Sequence, residues 1–159
     1  MKKNTLARGF LSFGGIGFVP AIPGTVASSI ALLLLVWADG LLGLDFFYRT
    51  LFLFILGALV FFPSLFATRK LQLSSNDQPW IVMDEVLGMI LALAPLFFWY
   101  ETDYWWFVGF GLFRFFDIVK PLGIRFLDQK NTPISVFLDD IVAGSYAGGC
   151  LLILLYVAG

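Results

Sequence analysis

The chain has no histidine among its 159 residues, which removes much ordinary enzymology at once. Ser-His-Asp triads, imidazole general bases and histidine-ligated metal sites are all excluded. A single cysteine, Cys150, excludes an intrachain disulfide and a zinc–cysteine cluster. Charged residues make up 13% of the chain, against roughly 25% in an average soluble domain, so a water-facing surface is hard to assemble. A net charge of −1 argues against general nucleic-acid binding. Whatever chemistry the chain performs has to come from carboxylates, Lys and Arg, hydroxyls or a hard metal ion.

What is present is apolar and aromatic. Hydrophobic residues account for 60% of the sequence, with nineteen Phe and five Trp, and the mean hydropathy is +0.91. These values predict an integral membrane protein. The length is that of one domain, taken as 1–159. The opening "MKKNTLARGFLSFGGIGFVPAIPGT" has the basic-then-apolar order of a signal peptide. Its apolar part is broken by glycines and prolines, and no convincing cleavage site follows, so it is expected to be retained.

Five apolar runs follow. Residues 14–25 read as an irregular Gly/Pro segment, with Thr25 or Ser28 expected to cap the first span, 25–44, whose far end Asp39 and Gly40 interrupt. The second span covers 50–66, the third 81–100, the fourth 104–120 and the fifth 136–157. A bilayer-crossing helix needs about 20 residues, with roughly 17 as a floor, so several runs are marginal. The expected fold is an all-α polytopic membrane bundle of about five spans, some short or tilted. Trp37, Trp99, Trp105 and Trp106 fall at span ends, where interfacial anchoring is expected.

Charge placement supplies an orientation. Lys2, Lys3 and Arg8 precede the first span, Arg69 and Lys70 follow the second, and Lys120, Arg125 and Lys130 lie between the fourth and fifth. The opposite side receives Asp39, Asp45, Glu101 and Asp103, with Arg49 the exception. Positive-inside counting places the N-terminus in the cytoplasm. Asp84 and Glu85 then begin the third span, Asp117 ends the fourth, and Asp139 and Asp140 begin the fifth, all at cytoplasmic helix ends.

Two of these acid pairs share a pattern. "MDEVLGM" and "LDDIVAGS" each place a glycine three or four residues after the second acid, so Glu85 shares a helix face with Gly88, and Asp140 with Ala143 and Gly144. Small residues there permit close helix approach, which would bring the acids together. Clustered carboxylates repel and call for a cation, and oxygen ligands of this kind suit Mg²⁺ or Mn²⁺. The plainer readings are acids placed at helix N-termini by the dipole, or an ion-coupling site. In "FRFFDIVKP", Arg114, Asp117 and Lys120 recur every three residues. They form either a salt-bridged face or a phosphate-binding pair of cations with Asp117 as a ligand or as an orienter of Lys120. The turn containing Gly24 and Thr25 is either an anion-binding loop or a simple interfacial one.

Taken together, "GIGFVPAIPGTVAS", "DQPWIVMDEVLGM", "FRFFDIVKP" and "DDIVAG" resemble the bacterial phosphatidylglycerophosphatase A family over most of the chain. The resemblance implies a Mg²⁺-dependent lipid phosphatase of the bacterial inner membrane, with a membrane phospholipid as substrate. Its acidic positions fall on Asp84, Glu85, Asp117, Asp139 and Asp140, and its basic ones on Arg114 and Lys120. The expected roles are metal ligation by Asp84, Asp139 and Asp140, and phosphate binding by Arg114 and Lys120 with the Gly24–Thr25 turn. Glu85 or Asp117 is the expected general base. The pattern departs from the family after Lys120, where the chain reads "KPLGI". A CDP-alcohol phosphotransferase would carry a denser aspartate motif than this chain has. A cation-coupled transporter would place its polar groups near mid-membrane.

The orientation is testable without reference to activity. In a Cys150→Ser background, Asn76→Cys and Asn131→Cys are expected to react with an impermeant thiol reagent from the cytoplasmic side only. Labelling of the two loops from opposite sides would break the five-span scheme.

Overall fold

A computed structural model describes residues 2–43, 45–73, 78–98, 104–121, 123–124 and 132–158. The expected span ends Leu44 and Tyr100, Trp99, the acids Glu101 and Asp103, the basic Arg125 and Lys130, and the loop positions Asn76 and Asn131 lie outside the described residues. The described elements are all helical. Helix α1 is Lys2–Leu11, followed by a 3-10 turn over Phe13–Phe18; α2 is Pro23–Leu42, α3 Phe46–Lys70 and α4 Met83–Leu93, which tightens into a 3-10 turn over Ala94–Phe98. Helix α5 is Trp105–Val119 and α6 is Ser135–Ala158.

Local chemistry sets the boundaries. Pro23 takes the first position of α2, where its fixed φ suits a helix and its missing N–H costs nothing. The cap is therefore Ile22, and Thr25 and Ser28 lie inside the helix rather than capping it. Asp39 and Gly40 do not break α2, which continues to Leu42 and ends on Gly43 in the left-handed conformation. Pro95 cannot donate to a preceding carbonyl, and α4 gives way to the tighter turn around it. Lys120, also left-handed, ends α5 just before Pro121. Thr132 and Ser135 cap α6 reciprocally, each backbone N–H donating to the other's hydroxyl at 3.2 Å.

Pro23–Leu41, Phe46–Lys70 and Ser135–Ala158 are long and apolar enough to cross a membrane. At about 1.5 Å per residue, α5 and α4 with its 3-10 turn are shorter than a bilayer core, in keeping with the marginal apolar runs. The helices run alternately up and down. At one end, Arg49 ties α3 to Asp39 of α2 at 3.2 Å and donates to the Phe97 carbonyl at 3.3 Å. That pairing accounts for the one basic residue on the acidic side. At the other end, buried Leu11 of α1, Ala67 of α3, Ile81 and Phe137 of α6 pack together. The helical character of α1 was not anticipated.

The exterior is a lipid-facing surface. Phe54, Phe62 and Phe66 of α3, Leu33 of α2 and Ile153 of α6 are all exposed. Such a surface suits hydrocarbon and would aggregate in water. Trp37 is exposed among them, whereas Trp106 is buried and packs edge-on against Phe97 at 5.6 Å, so it is a core residue rather than an interfacial anchor. Trp105 is half-buried and stacks on Tyr104.

The core is narrowest where α4 meets α6. A Cβ on Gly144 would run into the backbone carbonyl of Gly88, and one on Gly148 would lie 2.8 Å from the Leu91 oxygen. A Cβ on Gly88 would strike the Phe113 ring and approach the Asp140 carbonyl at 2.9 Å. This seam of small residues lets the two backbones touch. Gly144→Leu is expected to cost about 1–3 kcal/mol by overpacking, read as a lower unfolding temperature in detergent. Gly149→Leu, on the same helix but facing open space, is expected to change stability by less than about 0.5 kcal/mol. Equal tolerance at both positions would refute the seam.

Candidate active site

The backbone contact of α4 with α6 brings their first turns side by side. Carboxylate oxygens of Asp84, Glu85 and Asp140 lie within 4.8 Å of one another. Asp84 also accepts the Glu85 backbone N–H at 3.2 Å. Asp140 is buried, and Glu85 Oε2 is buried without a hydrogen-bond partner. Gly24 of α2 packs directly on Glu85, and a Cβ there would overlap its Oε1. The tight Pro-Gly-Thr start of α2 is therefore fitted to the carboxylate beneath it.

Helix α5 supplies the cations. Arg114 and Asp117, three residues apart on one face, form an ion pair at 2.6 Å. The same guanidinium donates to Thr25 Oγ1 at 3.0 Å and to Ser28 Oγ at 3.2 Å. Its Nε is buried and makes no hydrogen bond. Lys120 does not continue this face. Its left-handed backbone turns it out of the helix, and its ammonium meets Asp139 at 2.8 Å.

These groups line one cleft of about 440 Å³, formed where the ends of α2, α4, α5 and α6 converge. Among the described residues, five acids and two cations line it. Every residue singled out in the sequence lines this cleft: Gly24, Thr25, Asp84, Glu85, Arg114, Asp117, Lys120, Asp139 and Asp140. Their grouping differs from the expected one in two respects. Glu85 joins Asp84 and Asp140 in the close carboxylate group, while Asp139 stands outside it on Lys120. Asp117 orients Arg114 rather than Lys120.

Sequence reasoning named Ser28 only as a cap and overlooked it as a partner of Arg114. Its spacing of three from Thr25 on one helix is the signal that would have found it. Gln78, in the loop before α4, was also overlooked, and nothing in the residue pattern distinguishes it.

The donor set suits a hard cation. Three carboxylates held this close and largely out of water repel one another, and an orphaned buried oxygen requires a partner. Oxygen-only ligands from acidic side chains are the surroundings that Mg²⁺ and similar ions take.

A family model described as Phosphatidylglycerophosphatase A matches residues 9–155. The chain belongs to the phosphatidylglycerophosphatase A family. All four sequence motifs lie within the matched region. A Haemophilus influenzae protein named Phosphatidylglycerophosphatase A is 35% identical over 149 residues, covering 91% of this chain and 83% of that protein. An Escherichia coli protein of the same name is 31% identical over 159 residues, covering 93% and 80%. A Bacteroides thetaiotaomicron protein named "Putative phosphatidylinositol-3-phosphatase" is 34% identical over 152 residues, covering 91% of each. No solved structure matches the chain. Membership of the phosphatidylglycerophosphatase A family and the apolar helices make this a membrane phosphatase.

Proposed function

We propose that the chain, folded as one domain over 1–159, hydrolyses phosphatidylglycerophosphate to phosphatidylglycerol and inorganic phosphate at the cytoplasmic face of a bacterial inner membrane. The observation that carries this reading is the gathering of three carboxylates and a tethered Arg114 in one cleft at the end of a lipid-facing bundle. The names of the two phosphatidylglycerophosphatase relatives support the substrate, and the basic residues at this end of the bundle support the orientation.

Asp84, Glu85 and Asp140 are the residues that would hold Mg²⁺, which supplies Lewis-acid polarisation of the phosphate. Asp139 serves the site through Lys120, which it fixes in place. Arg114 presents a planar fork to the phosphoryl oxygens, and Thr25, Ser28 and Asp117 hold that fork in position before substrate arrives. Such preorganised cations stabilise charge that builds up as the phosphoryl group transfers. Asp117, with Oδ2 engaged by Arg114, accepts a proton from the attacking water on its other oxygen. Water's oxygen bonds to phosphorus, the bond from phosphorus to the headgroup glycerol oxygen breaks, and the departing alcohol oxygen takes up the proton that Asp117 received from the water, which returns Asp117 to its starting state. The diacylglycerol portion stays in the bilayer throughout.

The test is phosphate release from phosphatidylglycerophosphate in mixed micelles. Asp84→Asn and Asp140→Asn are each expected to lower kcat by about 10²-fold or more at unchanged expression, and chelation of Mg²⁺ to abolish turnover. Full activity in both variants would remove these acids from the reaction. Phosphatidylinositol 3-phosphate, the substrate class in the name of the Bacteroides relative, serves as the rival in the same assay. A preference for it would reassign the headgroup while leaving the phosphatase chemistry in place.

A further inference from the structure

The cleft that holds the charged side chains is also lined by uncharged residues, among them Ala21, Ile22, Gln78, Pro79 and Val136. A phosphomonoester held by the cations leaves the remainder of its headgroup inside this cleft. Gln78 is the one side-chain amide among the described residues that line it.

Gln78 is held in a defined orientation. The Trp80 indole N–H donates to Gln78 Oε1 at 2.8 Å. An indole N–H can only donate, so its partner must be the carbonyl oxygen of the carboxamide, leaving the NH₂ group with two donors. Trp80 is itself clamped: it stacks on Phe18 at 6.0 Å with the planes 15° apart, and the Arg8 guanidinium sits 5.9 Å above its ring. The Trp80 backbone lies against Gly17 so closely that a Cβ there would overlap its carbonyl. Ser135 differs in this respect, since its hydroxyl already donates to the Thr132 carbonyl at 2.7 Å.

We infer that Gln78 is a specificity-determining residue whose carboxamide NH₂ donates to the hydroxyl oxygen of the headgroup glycerol, the segment separating the two phosphates of the lipid. The inference rests on the substrate reading above and deepens it. It assigns discrimination to a loop residue that has no part in the phosphoryl chemistry. Trp80 acts as a positioning residue, since it sets which face of the amide meets the substrate. A donor matched to a substrate hydroxyl discriminates against lipids that lack the hydroxyl there, because the amide is then left unpaired. Phosphatidate is such a lipid: its phosphate is attached directly to diacylglycerol.

The experiment compares kcat/KM for phosphatidylglycerophosphate with that for phosphatidate, in micelles, for wild type and three variants. Gln78→Met removes the donor at similar size. Gln78→Glu keeps the acceptor for Trp80 and reverses the donor. Trp80→Phe keeps the ring stack and releases the amide. The ratio of the two kcat/KM values is expected to fall about tenfold in Gln78→Met, further in Gln78→Glu, and about threefold in Trp80→Phe, with the change mainly in KM. Equal losses on both lipids, or a ratio within about twofold of wild type in Gln78→Met, would overturn the assignment. Wild-type protein that releases no phosphate from phosphatidylglycerophosphate would instead defeat the substrate reading, and this inference with it.

Discussion

The architecture depends on one contact, the touching backbones of α4 and α6 at Gly88 and Gly144. Any side chain larger than hydrogen at either position would force the helices apart. Because Glu85 and Gly88 share a face, as do Asp140 and Gly144, closing that seam necessarily draws the acids together one turn away. Packing in hydrocarbon lacks the hydrophobic drive available in water, so close van der Waals fit between small residues has to do more of the work. The same contact therefore holds the bundle together and concentrates carboxylates at one end, which the cation of the proposed site would offset.

The opposite end of the bundle explains how such a charged cleft is tolerated. Arg49 joins Asp39 and the Phe97 carbonyl, so the far ends of α2, α3 and the α4 extension are pinned together. At the near end, α1 closes the bundle beneath the cleft, and Leu11 accepts the Val82 backbone N–H at 3.0 Å just before α4 begins. Among the described residues, charged groups are thus confined to the ends of the spanning helices, where headgroups and water reach them, while lipid-facing Phe and Leu side chains cover the middle. A substrate anchored in lipid with its phosphate at the interface matches that division.

The helices were legible in the sequence because a bilayer imposes long apolar runs, and the glycine spacing after each acid pair exposed the α4–α6 seam. The gathering of acids followed from charge counting and helix alternation. Pairings set by backbone conformation were not legible. Lys120 falls in register with Asp117 on paper, yet its left-handed φ of 47° directs it to Asp139. Asp139 and Asp140 are adjacent, and only the rotation of α6 decides which joins Asp84. Trp106 looked like an anchor from its position near a span end, and burial against Phe97 made it core. Helix α1 was hidden because its packing partners, Ala67 and Phe137, lie far away in sequence.

Cation binding measured apart from turnover tests the central claim most directly. Mn²⁺ can be titrated onto the purified protein in detergent and followed by the electron paramagnetic resonance signal of the free ion, with Mg²⁺ as competitor. The account predicts about one Mn²⁺ per chain, displaced by Mg²⁺, and binding weakened about tenfold or more in both Asp84→Asn and Asp140→Asn. Mn²⁺ binding that is the same in wild type and in both variants would contradict it.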